Sequence, residues 1–474
     1  MPLAVVALVI IGVRQFGRGT TSVENRAHVM RRIFQYSMLL ASVIISAIGT
    51  SGLLTRAFSS SDALTSDSAA LARDASFTIV GVPVLIGLTL WTQSIIRKNP
   101  REVESFAWGG FVTLVDVISL ITGLVAATEL AKWATNLPDT TWPSSTARVV
   151  VWGTTWVAIR MVKRSASNSA QRQVGNLIGS IVGLGLVVAG GVGVISSLLQ
   201  IAFDLQNDAF VYQTNDATVS GTITLVLGAG VWGGYWFARA RLSERNSLWH
   251  SYVLLIGVGG AFVTAISATS VAIYQLLVWY FGTPDIDIAR VHFNDTPANA
   301  SYALMGLASW WYHRWVLHEA GRRQRTEVRR VYEYMLSGVS LGSIAVGIGI
   351  LVAAGIESLT NSGALTTSDT ANTLIAALTL LGVGTPIWLL YWLRIQTLAH
   401  AEPETEAPTP TRRAYLFGLF GIGGVASLVA LITGVFLLLQ DVFQGDFASS
   451  TFRDMRFAIG VLVTAGIVAS YHYS

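Results

Sequence analysis

The sequence predicts an all-α integral membrane protein, a polytopic bundle of about twelve transmembrane helices arranged as six hairpins of the same orientation. Three observations predict this fold. Of the 474 residues, 52% are hydrophobic and 12% are charged, about half the charged share of a soluble domain. Apolar runs long enough to cross a bilayer recur along the chain. The connections between them alternate between arginine-rich and acidic segments.

The apolar runs place the individual spans. A helix needs roughly 20 apolar residues to cross about 30 Å of hydrocarbon, and each run is close to that length or longer. The longer runs, most of them the first of a hairpin, are expected to tilt in the bilayer. The predicted spans are residues 32–55, 76–97, 104–131, 146–163, 174–201, 217–238, 249–281, 298–317, 331–358, 370–395, 413–441 and 455–473.

Residues 2–13 form a further apolar stretch, which is followed by Arg14 and Arg18. The stretch is too short to cross a bilayer comfortably. It also lacks the basic start and the small-residue cleavage site of a signal peptide. We expect it to lie in the membrane interface, to form a short extra span or to be the end of a longer helix.

The charges of the connections predict the orientation of the spans. The arginine-rich set is residues 97–101, 160–172, 239–245, 314–330 and 394–413, and the acidic set is residues 59–74, 136–145, 204–216, 284–295, 360–369 and 443–450. Together with the N-terminal segment up to Arg32, the first set holds 24 of the 31 Lys and Arg residues, and the second set together with the adjoining helix ends holds 7. Because basic residues stay in the cytoplasm, we expect a multi-pass protein of the bacterial inner membrane with both termini cytoplasmic.

Composition also excludes several kinds of function. The chain has no cysteine, which excludes disulfides, iron–sulfur clusters and thiolate chemistry. No phosphate-binding loop, nucleophile elbow or zinc-binding helix motif occurs in it. The net charge of +4 does not indicate nucleic-acid binding, because the charges are sorted by membrane side. The sequence therefore predicts a protein that is not an enzyme and that needs no cofactor or metal.

Similarly placed glycine, proline, tryptophan and arginine residues recur in the second helix of several hairpins. That helix of the fifth hairpin carries Gly384-Thr385-Pro386 and closes on Trp392 and Arg394. The first hairpin keeps Gly81-Val82-Pro83, whereas the third has Gly230 at the position of the proline. Such self-similarity at a regular spacing is typical of tandem structural repeats.

The opening helices also resemble one another, and their fullest form is Arg329-Arg330-Val331-Tyr332-Glu333-Tyr334. The motifs, in order, are this opening, a helix with recurring glycines, an acidic loop, and a helix with Gly-x-Pro-x-Trp that ends on Trp and Arg. This order of motifs resembles DUF5671, a four-helix bacterial membrane domain of unknown function. The resemblance implies membrane localisation and fold and supplies no activity. It divides the chain into an N-terminal apolar segment and basic cytoplasmic linker (1–30) and three four-helix repeats (31–165, 166–326 and 327–474).

Asp116 is the sharpest candidate for an ion or proton site, because it lies near the middle of the third predicted span. An ionised carboxylate is expensive at that depth and is often functional. The alternative is a structural role, in which Asp116 is hydrogen-bonded to Thr113, Ser119 or a neighbouring helix. Glu129 and Glu357 lie at the outer ends of their helices, where they would either gather cations at an outer mouth or simply contact water at the membrane interface. The sequence shows no second buried acid that would continue a relay.

Tryptophans recur four residues apart on one helix face, which suggests either an aromatic pocket or an interfacial belt. A pocket would suit a quinone, a pigment or a lipid, and a belt would only anchor the helices at the headgroups. The belt is the ordinary arrangement, since arginine or histidine follows the pairs closely. The pairs are Trp232 and Trp236, Trp311 and Trp315, and Trp388 and Trp392.

The predicted function is a non-enzymatic membrane scaffold subunit, whose partners are the lipid bilayer and other membrane proteins or a second copy. One alternative is an ion- or proton-coupled channel or transporter that uses Asp116. Another is a lipid or small-molecule sensor. Many secondary transporters are built from inverted repeats, whereas hairpins of equal orientation give parallel repeats, which favours the scaffold.

Overall fold

The computed structural model describes residues 23–59, 68–137, 141–203, 205, 211–318, 327–360, 367–406 and 408–473. The apolar stretch at residues 2–13 lies outside these ranges. Within them all regular structure is helical, so the predicted all-α fold is confirmed. Each of the twelve predicted segments coincides with one long helix, apart from one or two residues at the start of two of them.

The long helices are numbered α1 to α12. Two of them contain wide π-helical turns: the last turns of α6, Gly233–Ala240, and part of the first half of α7, Tyr252–Gly260. The helices are α1 (Val23–Phe58), α2 (Ser68–Lys98), α3 (Phe106–Ala134), α4 (Trp142–Ser165), α5 (Ser169–Ala202), α6 (Val211–Trp232 and Gly233–Ala240), α7 (Ser247–Phe281), α8 (Thr296–His318), α9 (Glu327–Thr360), α10 (Thr367–Ala401), α11 (Pro410–Gln444) and α12 (Arg456–Tyr473).

Nine helices in the described ranges are long and apolar enough to cross a membrane: α1, α2, α3, α5, α6, α7, α9, α10 and α11. The chain is therefore a multi-pass helical membrane protein. The other three long helices, α4, α8 and α12, each close one predicted four-helix repeat. They are shorter or more polar; α4, for example, carries Arg148, Arg160, Lys163 and Arg164.

Several helices extend further than the hydropathy of the sequence predicted. Asp74 was expected in a connection but lies buried in α2. Arg239 was likewise expected in a connection, and the structure places it in the π-helical end of α6. Lys163 was expected where the fourth span meets an arginine-rich connection, and it lies within α4. Hydropathy falls at such residues, but the helices continue. Asp74 lies near Arg56 of α1 and Lys163 bonds to Asp116 of α3, whereas Arg239 bonds to a backbone carbonyl of its own helix.

The chain divides into two compact units, Met1–Ser197 with Asp208–Tyr252, and Leu198–Asn207 with Val253–Ser474. The first unit contains α1 to α6, apart from the last residues of α5. Its core is an aromatic and aliphatic cluster from α1, α3 and α4 that includes Tyr36, Trp108 and Ile159.

The second unit contains most of α7 and all of α8 to α12. In its core, Val258 and Phe262 of α7 pack with Tyr332 and Leu336 of α9. A smaller cluster joins Tyr334 to Trp392 and Ile395 of α10.

The first helix of the first predicted repeat holds the connection between the second and third helices. Arg32 of α1 donates from Nε to Glu102 Oε1 at 2.9 Å and from Nη2 to Oε2 at 2.8 Å. Glu102 lies in a short helical turn, Pro100–Glu104, and is fully buried. The third repeat makes the same contact, since Arg330 of α9 donates from Nε and Nη2 to Glu406 Oε1 at 3.2 and 2.9 Å.

The second predicted repeat makes the contact with amides in place of charges. Gln173 of α5 follows Arg172, just as Arg32 and Arg330 follow an arginine. Its Nε2 donates to the Glu244 carbonyl at 2.8 Å, and Asn246 Nδ2 donates to its Oε1 at 2.6 Å. We call these three contacts, Arg32–Glu102, Gln173–Asn246 and Arg330–Glu406, the connection clamps.

The charged clamp of the first repeat is testable by substitution. Glu102→Gln leaves Arg32 facing a neutral group in a buried site, and we expect the free energy of unfolding to fall by about 2–4 kcal/mol. The double variant Arg32→Gln with Glu102→Gln imitates the amide clamp of the second repeat and should recover part of that loss. Denaturant unfolding in mixed micelles, with helicity as the signal, measures both.

Arg31→Gln is the matched control for the clamp. The Arg31 side chain is 45% exposed and its Nη2 lies 3.9 Å from Glu102 Oε2. Its loss should therefore cost about 1 kcal/mol or less. If Arg31→Gln destabilises the protein as much as Glu102→Gln does, the clamp is not the contact that matters.

Candidate functional site

Asp116 of α3 lies within the protein, with 1% of its surface exposed. Its Oδ2 accepts a hydrogen bond from Lys163 Nζ at 2.8 Å, and the Lys163 side chain is only 6% exposed. Lys163 lies two residues before the last residue of α4, and its side chain reaches Asp116 of α3. A buried ion pair of this kind neutralises a carboxylate that would otherwise be very costly in a membrane.

Tyr235, in the π-helical end of α6, completes the environment of Asp116. Its hydroxyl donates to Asp116 Oδ1 at 3.3 Å and accepts a hydrogen bond from Trp156 Nε1 of α4 at 3.0 Å. The wide turn of a π-helix displaces side chains from their α-helical positions, and such turns are frequent at functional sites. Asp116, Lys163, Tyr235 and Trp156, which we call the Asp116 cluster, thus join α3, α4 and α6.

Glycines of α5 make room for the cluster. A Cβ atom at Gly175 would overlap with Lys163 Nζ, and one at Gly179 would overlap with the ring of Tyr235. Further along, a Cβ atom at Gly183 would lie 2.5 Å from the backbone nitrogen of Trp232. These glycines recur every fourth residue and so form a groove along one face of α5. The groove lets two large polar side chains lie against the helix backbone.

The sequence predicted Asp116 as a site but missed its partners. Lys163 was assigned to an arginine-rich connection, and Tyr235 carried no signal in the sequence. The four-residue spacing of Gly175, Gly179 and Gly183 was the available clue, since it indicates a close helix contact. The structure also buries acids that the sequence did not indicate: besides Asp74 and Glu102, Glu333 of α9 is 2% exposed and lies 3.3 Å from Arg329 and 3.4 Å from Arg394.

The structure pairs the two predicted acids at the helix ends with arginines. Arg148 Nη2 contacts Glu129 Oε2, which also accepts from Ser145 Oγ at 3.2 Å. Arg456 Nε lies 3.7 Å from Glu357 Oε2. Each of the three predicted acids therefore has its own basic partner, which is Lys163 for Asp116, Arg148 for Glu129 and Arg456 for Glu357.

The tryptophan pairs fall into two classes. Trp311 and Trp315 of α8 are exposed, which suits an interfacial belt. Trp236 is fully buried and stacks on Trp249, with ring centroids 6.1 Å apart. Trp388 and Trp392 stack on each other at 5.9 Å, Trp392 is buried, and its Nε1 donates to the Tyr471 hydroxyl at 2.8 Å. Trp232 makes an edge contact with Phe237 at 5.0 Å.

Two large cavities lie between helices, and Asp116 lines neither. A cavity of about 770 Å³ lies between α1, α2, α3 and α4, and its wall includes Ser46, Thr92 and Arg97. A cavity of about 840 Å³ lies between α9, α11 and α12 and is almost wholly apolar. In the described ranges no three His, Asp or Glu side chains are grouped so as to hold a metal ion.

Comparison with known proteins identifies one family. The model of a family described as a domain of unknown function, DUF5671, matches residues 32–152, 173–310 and 330–467. The three matches begin at Arg32, Gln173 and Arg330, the first-helix residues of the three connection clamps. No curated protein and no solved structure matches the chain.

The glycine groove predicts a sharp difference between two substitutions on α5. Gly183→Ala would bring a Cβ atom to 2.5 Å from the backbone nitrogen of Trp232, which cannot move aside as the end of a side chain can, and should lower the free energy of unfolding by about 1–3 kcal/mol. Gly185→Ala is the control, since no atom lies within 4 Å of a Cβ built there. It should be neutral or slightly stabilising, because alanine favours helix over glycine. Thermal unfolding in detergent compares the two, and equal effects would contradict the groove.

Proposed function

The chain belongs to the DUF5671 family, with three copies in tandem, and since that family's description states no function, we propose one from the geometry. The protein is a non-enzymatic structural subunit of the membrane, a scaffold that associates with other membrane proteins or with a second copy of itself. It needs no cofactor and does not bind nucleic acid.

The state of Asp116 carries this proposal. A coupling or selectivity residue must meet water or an ion during transport. Asp116 instead accepts hydrogen bonds from Lys163 and Tyr235, is almost fully buried, and lines neither of the two large cavities. These contacts support a role in holding α3, α4 and α6 together.

The other acids of the helices support the same function. Glu102 and Glu406 are held in connection clamps, and Glu129 and Glu357 are paired with arginines. Charges committed to internal pairs are not free to form a chain of proton or ion sites. The surface that the protein presents to lipid or to partner proteins is therefore mostly apolar, and it includes most of α11.

The membrane arrangement of this scaffold is twelve spans in six hairpins of equal orientation. The nine apolar helices support it directly, and α4, α8 and α12 have the length to complete it if their basic and aromatic residues lie near the headgroups. The arginine-rich connections then face the cytoplasm of a bacterial cell, with both termini on that side.

Transport through Asp116 is the competing function, and one substitution separates it from the scaffold. Purified wild type and Asp116→Asn are reconstituted into liposomes that carry a pH or cation gradient and an entrapped dye. For a scaffold, both should leave the gradient to decay at the rate of empty liposomes. A wild-type flux that Asp116→Asn abolishes would refute the scaffold, provided that the variant elutes as a folded protein.

Association with partners is the direct test of a scaffold. A photoreactive amino acid is placed at Ile79, Trp311 or Phe417, which are exposed on α2, α8 and α11. Ala430 of α11 is the control position, because it is buried. At native expression, the exposed positions should cross-link to discrete integral membrane proteins or to a second copy, and the control should not. The proposal would be refuted if the exposed positions cross-linked only to lipid and the protein remained a lone monomer after mild solubilisation.

A further inference from the structure

Positive charge exceeds negative charge around the Asp116 cluster. Lys163 neutralises Asp116, but Arg160 of α4 and Arg239 of α6 lie close by. Neither arginine forms an ion pair with a carboxylate in the described part of the chain. The charges of Arg160 and Arg164 repel that of Arg239. A membrane protein that gathers unpaired arginines between its helices favours an anion beside them.

Arg160 is held in a fixed orientation. The centre of its guanidinium lies 4.7 Å from the ring centroid of Tyr235 and 5.3 Å from that of Trp156. Tyr235 is itself fixed by Asp116 and Trp156, so these contacts orient the guanidinium. Its Nη1 is buried and has no hydrogen-bond partner among the described residues. A buried guanidinium N–H without an acceptor is costly, and a ligand oxygen would remove that cost.

Arg239 supplies the second cation of the site. It lies in the π-helical end of α6, where Nη1 donates to the backbone carbonyl of Gly234. That bond ties the side chain to its own helix and uses one of its five N–H donors. Two guanidinium groups from different helices match the oxygens of a phosphate group, which arginine binds through paired hydrogen bonds.

The position of the arginines indicates the source of the phosphate. Arg160 lies in the last two turns of α4 and Arg239 in the last turn of α6, next to arginine-rich connections. In the proposed topology such helix ends face the cytoplasmic side, and basic pockets between helices on that side bind anionic headgroups.

We propose that Arg160 and Arg239 form a binding site for a phosphate ester, carried by the headgroup of an anionic phospholipid, between α4 and α6. The site goes beyond the scaffold function and stands whether or not the chain has protein partners. The Asp116 cluster then has a positioning role: it fixes Tyr235, and Tyr235 fixes Arg160.

The test compares lipids and variants on the full-length protein. Purified protein is placed in nanodiscs of phosphatidylcholine with increasing phosphatidylglycerol, and the thermal midpoint and the retained lipid, by native mass spectrometry, are measured. Wild type should retain phosphatidylglycerol in preference to phosphatidylcholine. Arg160→Gln and Arg239→Gln should each weaken that preference about tenfold or more, the effect of losing a charge-assisted contact.

Arg101→Gln is the matched control, since it removes an exposed arginine from another arginine-rich connection. It should leave the preference unchanged. If Arg160→Gln does not fold, Arg239→Gln carries the test, because the Arg239 side chain bonds only to its own helix among the contacts above. Arg160→Lys, which keeps the charge without the planar fork, should restore binding only in part.

Three outcomes would overturn the proposal. Wild type that retains both lipids equally has no anionic-lipid site. Arginine variants that keep the wild-type preference place the lipid elsewhere. Millimolar sodium phosphate that raises the thermal midpoint in phosphatidylcholine alone, and displaces phosphatidylglycerol, assigns the site to free phosphate instead of a lipid.

Discussion

The connection clamps are the contacts on which the repeated fold depends. A four-helix repeat in a membrane gains little from the hydrophobic effect between its helices, because lipid is as apolar as they are. A polar contact that fixes where the chain re-enters the bundle therefore does much to determine how the helices of the repeat are arranged. Arg32 and Glu102 make that contact in the first copy, and Arg330 and Glu406 make it in the third. Each ties the first helix to the point at which the third begins.

The sequence predicts the helices well and the polar contacts poorly, for a physical reason. Hydropathy and charge alternation reflect the bilayer, which acts on every residue of a span in the same way. A contact such as Lys163 with Asp116 depends on two helices meeting in one register, and no local pattern encodes that. Lys163 was expected at the boundary between a span and a connection because a lysine usually ends a span, but its long side chain stays within the protein, where it pairs with the Asp116 carboxylate.

The tryptophans show the same division. Their four-residue spacing predicts that each pair shares a helix face, as the stacked Trp388 and Trp392 do, but spacing does not say which way the face points. Trp311 is exposed, whereas Trp236 is fully buried against Trp249. The difference in burial follows from the neighbouring residues. Trp236 packs against the start of α7, which follows a short connection, and it contacts Trp249 and Tyr252 there.

The middle copy of the family departs from the other two, and its departures belong together. Its clamp is made by the amides of Gln173 and Asn246, and π-helical turns lie on both sides of the connection that the clamp holds. Two residues after Gln173 comes Gly175, where the first and third copies have Phe34 and Tyr332.

That glycine leaves room for Lys163 of α4, and the π-helical end of α6 sets Tyr235 against the same Asp116. The middle copy thus has no charged clamp of its own, but its Tyr235 bonds to Asp116 of the first copy. A contact between copies fixes how successive copies join, which a clamp within a copy cannot do. The Asp116 cluster therefore holds one repeat to the next, and the arginines it orients are a consequence of that junction.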